Sequence, residues 1–239
     1  MYRLYLLLFN CLFLNLLQAQ EISAISDSLN NLIIAIRDNK ISKEKARQKL
    51  DYYLKEIDKQ HKPLQKAKKF AETRLIFPLA GYGPAAIGGK NGDGYKSKGY
   101  DFFDGNKHKG HPAHDIFISD KNQDGLEDKT NREVKVIASM EGIVIALERN
   151  WNPTSLLRGG NYIWIYNPFK KILLYYGHNN KVMVEPGSWV NPGDEIATVG
   201  RTGFNAYKKR SPTHLHFSVF KVRDGIPVPF NPYHLFTTP

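Results

Sequence analysis

The chain has 239 residues, 41% of them apolar and 24% charged, a balance that excludes a disordered chain and suits one ordinary domain with an appendage. Its formal charge of +11 and pI near 9.5 suit a polyanionic partner such as a bacterial wall, a membrane surface or a nucleic acid. No zinc-finger spacing or RNA-binding signature accompanies the charge, so no nucleic-acid partner is expected, and scattered lysines also fit a plain solvated surface.

Residues 1–19 form a separate unit. Arg3 is the only charge before Glu21, and the apolar run Leu4 to Leu17 covers 14 residues, short of the roughly 20 that a spanning helix needs. We expect an export signal ending near Ala19, with an uncleaved N-terminal anchor as the alternative, and no transmembrane span in the mature chain. Such a signal does not choose between periplasm and exterior. Cys11, the single cysteine, lies inside this run without the small-residue context of a lipoprotein cysteine. Cleavage would leave no cysteine for a disulfide, so a metal site must use His, Asp or Glu.

Residues 20–72 read as helical. Ile25, Leu29, Leu32, Ile33 and Ile36 recur at helical spacing, Asp38-Asn39-Lys40 breaks the pattern, and Ala46, Leu50, Tyr53, Leu54 and Ile57 resume it. The spacing predicts a helical hairpin whose second helix ends or kinks at Pro63. It carries no chemistry of its own. A packing or spacer element is the plain reading, and a docking or autoinhibitory segment the sharper one.

The composition changes at Phe77-Pro78. To residue 110 the chain is rich in Gly, Lys, Asp and aromatics, a loop leading into a β domain over 77–239. No Gly-Lys-Ser/Thr follows its glycines, so a phosphate cradle is not expected. In the extended stretch Gly110–Phe117, His111 and Asp115 share one face and can converge on one ion, while His114 points away. A surface or outer-sphere role is expected for His114. Asp120, Asn122, Asp124, Gly125 and Asp128 fit part of a calcium-binding EF-hand loop. The twelfth position, where a bidentate Glu belongs, is Asn131, so a polar turn is the favoured reading of Asp120–Asp128.

From residue 133 the pattern is β: Val134–Ala138, Ile143–Glu148, Tyr162–Tyr166, Ile172–Tyr176, Val182–Val184, Ile196–Val199 and Leu215–Phe220 are candidate strands. The connections are too short for helices, so the sheet should be antiparallel. In Thr213-His-Leu-His-Phe217 the strand puts His214 and His216 on one face, roughly 6.5–7 Å apart, with Leu215 toward the core. That pair alone fits a metal site or a half-buried strand equally. His216 is the obvious third ligand beside His111 and Asp115. Two imidazoles, one carboxylate and a water make a catalytic zinc shell with an open position. His178, in Tyr176-Gly-His178 at a strand end, is a fourth histidine able to reach that place.

His111-x-x-x-Asp115, Tyr176-Gly-His178, Gly200-Arg-Thr-Gly203 and Thr213-His-Leu-His-Phe217 occur in the order seen in the lysostaphin-type, LytM-like zinc metallopeptidases, and the chain resembles that family over residues 77–232. The resemblance implies an antiparallel β-sheet metallopeptidase domain, here preceded by an α-helical hairpin. It implies Zn2+ held by His111, Asp115 and His216, with His178 and His214 as the two catalytic histidines. The expected activity is hydrolysis of peptidoglycan cross-links or stem peptides by zinc-activated water, and an anionic wall would suit the basic surface. Ala113 stands where the family usually has Gly, and Ser218 where it usually has Glu. Phe204 to Ser211 adds a basic segment beside the groove. No His-Glu-x-x-His helix supplies a glutamate base, so the histidine pair must serve. Two other functions stay open: a non-catalytic peptidoglycan-binding or hydrolase-activator module on the same fold, and a protease acting on exported proteins.

Overall fold

The structure, a computed structural model, describes residues 21–67 and 75–237; the expected export signal lies outside them. Among the described residues no helix is long and apolar enough to cross a membrane.

Helix α1 spans residues 21–37 and α2 Lys43–Ala67. Between them Asn39 takes a positive φ of 55°. The amide of Lys40 donates to the Ala35 carbonyl and that of Asn39 to the Ile36 carbonyl, the paired closure that ends a helix in the left-handed region. Ser42 caps α2, accepting from the Lys45 amide at 3.4 Å. Pro63 does not end α2, which continues to Ala67. Proline there removes one N–H donor, and the helical bonds on either side persist.

The β domain is one sheet of nine strands: β1 (His114–Phe117), β2 (Lys135–Ile137), β3 (Gly142–Glu148), β4 (Asn161–Asn167), β5 (Ile172–Val182), β6 (Trp189–Val190), β7 (Glu195–Val199), β8 (His214–Arg223) and β9 (Ile226–Phe230). Every pairing is antiparallel. The main path runs β1-β8-β5-β4-β3-β6, with β2, β7 and β9 branching from it. β5 runs through His178 to Val182, so Val182–Val184 is no separate strand. β1, β6 and β9 were absent from the sequence reading. β6 is two residues long, and β9 carries Pro227 and Pro229, tolerable because it pairs only with β8.

Strands β3 and β4 are buried at nearly every position, because both faces of the sheet are covered. On one face Val144, Ile165, Leu174, Tyr176, Leu215 and Phe217 form a core with β2, β7 and the segment around Leu79. On the other, Ile143, Ile145, Trp164, Tyr166, Leu173 and Phe220 pack against Leu29, Leu32, Ile33 and Ile36 of α1 and Ala46, Leu50, Leu54 and Ile57 of α2. The hairpin is thus part of the core. Polar ties reinforce it: Asn30 accepts from the Leu147 amide at 3.0 Å, Arg37 pairs with Glu148 at 2.9 Å, and the Tyr166 hydroxyl donates to Asp58 at 2.9 Å.

The turn Phe102–Lys107 seats under this hairpin, where Gly105 has φ 54° and ψ −135°. A Cβ at Gly105 would collide with the Ile36 and Arg37 backbone. Gly105→Ala is expected to destabilise the protein by about 1–3 kcal/mol, read from the urea midpoint, with the near-UV signal of Trp164 following.

Candidate metal centre

Asp115 on β1 stands directly opposite His216 on β8, and Gly177 on β5 faces His216 from the other side. Cross-strand registry therefore fixes the centre of the site. His216 Nδ1 lies 3.1 Å from Asp115 Oδ1. His111, just before β1, is held by a two-way backbone bridge to Lys96 and brings Nε2 to 3.3 Å from the same oxygen. The potential ligand atoms of His111, Asp115 and His216 all lie within 4.8 Å of one another. Among the described residues this is the one such group of His, Cys, Asp or Glu.

Two further imidazoles flank it. The His214 ring stands 4.8 Å from the His178 ring, and His178 lies 5.5 Å from His216, centroid to centroid. His214 Nε2 reaches to 3.7 Å from Asp115 Oδ1. His178 sits at a positive φ of 65°, at the irregularity where β5 leaves β4 and takes up β7. That conformation costs backbone energy in a non-glycine residue.

The backbone sets the tautomers. His111 Nδ1 faces the Gly94 carbonyl at 3.1 Å, His178 Nδ1 the Thr202 carbonyl at 2.8 Å, and His214 Nδ1 the Pro212 carbonyl at 2.7 Å. A carbonyl oxygen only accepts, so each Nδ1 carries the proton and donates it. In the neutral rings Nε2 is then a bare lone pair, and for His111 it points at an anionic carboxylate oxygen. Two acceptors at 3.3 Å need a cation between them, either a second proton or a metal ion. The donor set fits Zn2+: two imidazoles and one carboxylate converge, and the outer nitrogen of His111 is braced by a carbonyl.

The electrostatics agree. Burial opposes charge on Asp115, but hydrogen bonding with His111 and His216 in their protonated forms outweighs it and holds the carboxyl far below its ordinary range. Hydrogen bonding to Asp115 raises the His111 pKa against the effect of burial. Burial, then the neighbouring imidazoles, pushes His178 well below its ordinary value, so it stays neutral with Nε2 free. Burial also lowers His216.

His114 is buried rather than a surface residue, on the opposite face, with Nε2 2.8 Å from Asn231 Oδ1. It stands in sequence beside a ligand and belongs to the core, because successive side chains of β1 alternate faces. The Asp120–Asp128 stretch is a pinned turn. The Asp120 carboxylate accepts from the amides of Asp124 and Gly125 and from the Thr213 hydroxyl, leaving its lone pairs engaged.

Several supports went unread in the sequence. Gly94 and Lys96, in the glycine-rich stretch taken as plain loop, orient His111. Arg201 donates to the Ser211 carbonyl at 2.8 Å and the Thr213 hydroxyl at 2.9 Å, and also reaches Gln123 and the Lys208 carbonyl. It thereby pins the basic segment to the start of β8. Gly203, at φ 112°, lets Thr202 close on His178; a Cβ there would strike the Arg158 carbonyl. The Gly-Arg-Thr-Gly pattern was the available signal for both.

Residues 121–230 match the peptidase family M23. Over these residues the chain matches that family, the LytM-like class that the ordered motifs resemble. His178, His214 and His216 lie inside the matched residues and His111 and Asp115 just before them, joined to the rest through β1. Among solved structures, the chain is similar to a zinc containing peptidase from Vibrio cholerae (24% identity, 64% of this chain and 37% of that one, TM-score 0.41). It is also similar to the catalytic domain of lysostaphin from Staphylococcus simulans (21%, 62% and 96%, TM-score 0.38). A third is a Ruminococcus gnavus ATCC 29149 protein described as a glycyl-glycine endopeptidase, lytM (25%, 52% and 44%, TM-score 0.40). The chain spans less than half the length of the first and third of these. Superpositions of this order are partial. No curated protein matches the chain.

Asp115→Asn should weaken zinc binding by more than about 100-fold, since removing even a residue that merely braces a ligand costs 10–100-fold; competition with a chromogenic chelator reads it.

Proposed function

We propose that the protein is an exported, zinc-dependent endopeptidase that hydrolyses peptide bonds of bacterial peptidoglycan, with His111, Asp115 and His216 as ligands and His178 and His214 as catalytic groups. The observation that carries this reading is the convergence of a carboxylate and four imidazoles on one end of the sheet, in a domain of a peptidase family. A bound zinc ion would polarise the substrate carbonyl and make water acidic enough to ionise near neutral pH.

The chain's own residues supply the proton handling. His178 and His214 each hold Nδ1–H on a backbone carbonyl and present Nε2 toward the space beside Asp115. A bare Nε2 accepts the proton of the attacking water and passes it to the leaving amine. A ring protonated at both nitrogens donates to the oxygen on which negative charge develops. With no glutamate among the described residues that surround the donor set, this pair is the available base. The Thr202 and Pro212 carbonyls keep both rings aimed without motion during reaction. The net charge of +11 favours approach to an anionic wall.

The test uses purified protein loaded with zinc and incubated with peptidoglycan sacculi, the released fragments being weighed by mass spectrometry. Wild type should release peptide fragments, and His216→Ala should lose zinc and cleavage together. His178→Ala and His214→Ala should each keep zinc while kcat falls by about 10²–10⁴-fold. Full zinc occupancy with no cleavage of sacculi would overturn the proposal in favour of a binding or activator module.

A further inference from the structure

All five site residues line one pocket of about 300 Å³. Among the described residues, two arginines, Arg37 and Arg158, and a single carboxylate, Asp115, line it as well. Arg37 is matched, with Asp38 at 2.7 Å and Glu148 at 2.9 Å. Arg158 is not. Its Nη1 donates to the His108 carbonyl at 3.0 Å, and no carboxylate of the described residues pairs with it. Asp115 is taken up by the imidazoles of His111, His214 and His216. Burial, with the Arg158 charge nearby, pushes the His108 ring down to about 4, so that ring adds no charge at neutral pH. Arg158 is thus the unmatched cation of the pocket.

The backbone that carries Arg158 is anchored on every side. The Arg158 amide donates to Asn106 Oδ1 at 2.9 Å, and Asn106 Nδ2 donates to the Leu156 carbonyl at 3.0 Å. The Leu157 carbonyl accepts from the Phe204 amide and the Gly159 carbonyl from the His178 amide, each at 2.9 Å. The last bond ties this loop to one of the two flanking histidines. The side chain itself is exposed, so a ligand can reach it. With one Nη held on a carbonyl, the rest of the planar N–H fork remains for an anion, and a carboxylate matches that fork. A head group already braced loses less freedom on binding than a free one. A zinc ion on the donor set would outweigh the one carboxylate there, and the loaded pocket would favour an anionic ligand.

We propose that Arg158 recognises substrate by docking a free carboxylate close to the scissile bond. The inference rests on the peptidase reading for the meaning of the bond, and it narrows the substrate within that reading. Stem peptides and the cross-links between them carry free carboxylates. A bridge of glycines alone carries none along its length. An amide in the same place would offer the guanidinium only a neutral acceptor, which binds it less strongly. Arg158 therefore favours cuts beside an acidic group.

The experiment titrates zinc-directed probes into the full zinc-loaded chain by calorimetry. Malonyl, succinyl and glutaryl monohydroxamates present a free carboxylate at increasing reach from the metal-binding group, and the methylamide of each is its neutral twin. At least one acid should bind about tenfold or more tighter than its twin, the gain from a hydrogen bond between charged groups. Arg158→Gln should bring that ratio near one. Arg158→Lys keeps the charge without the fork and should fall between. A ratio that survives Arg158→Gln, whether both affinities hold or fall together, assigns the preference to the metal or makes Arg158 a mere brace, and overturns the proposal. Equal affinities of acid and twin in the wild type overturn it too. Cross-linked muropeptides with their carboxyl groups free or amidated separate the two ideas. Equal cleavage of both forms sinks the carboxylate docking and leaves the peptidase. An Arg158-dependent preference among the probes, with neither muropeptide cut, sinks the peptidase and leaves a carboxylate-binding site.

Discussion

The carboxylate of Asp115 is the constraint on which the rest of the site depends. One oxygen faces nitrogens of His216, His111 and His214 at 3.1, 3.3 and 3.7 Å. A half-buried negative charge still calls for compensation, and the groups facing this one are imidazoles. Its compensation must be a cation held among imidazoles. The sheet accepts that demand by placing Asp115 and His216 in direct registry, so the pair forms as soon as β1 zips onto β8. A slip of one residue would send Leu215 into the site and His216 into the core.

Around that centre the structure uses backbone rather than side chains to orient rings. Three carbonyls, from Gly94, Thr202 and Pro212, each fix one histidine, and each belongs to a loop pinned elsewhere. Lys96 bridges to His111, Gly203 permits the approach to His178, and Arg201 and Asp120 grip Thr213 ahead of His214. Carbonyls do not titrate, so the tautomers they impose are independent of pH. Ser218 stands where the resemblance leads one to expect Glu. Ser218 is buried on this face, and the three rings braced by carbonyls do not draw on it.

Much of this was legible in the sequence for a definite reason. Spacing within an extended stretch obeys the alternation of side chains, so His111 could be paired with Asp115, and His214 with His216, each pair on one face, before any fold was known. The helical stripe of Leu29, Leu32, Ile33 and Ile36 likewise declared its buried side. What it could not declare was the identity of the surface that buries it, which depends on contacts more than a hundred residues away in the chain, such as Asn30 with Leu147. The runs in β3 and β4 carried a hint, since strands apolar on both faces need a second cover. Alternation also set His114 apart from the site; what it did not show is that the face it occupies is covered, which leaves the ring buried. The orienting carbonyls were invisible because a main-chain oxygen carries no residue signature.

The position of the hairpin on the sheet has a kinetic side. Its helices are made before their partners Ile143, Trp164, Tyr166 and Phe220, and none of the inward-facing leucines and isoleucines can be sheltered until the central strands have paired. Non-local closure of this kind is slow, and the apolar stripe stays adhesive meanwhile. A chain built this way gains from being kept extended until its strands are made, and the hairpin is the part most in need of a chaperone.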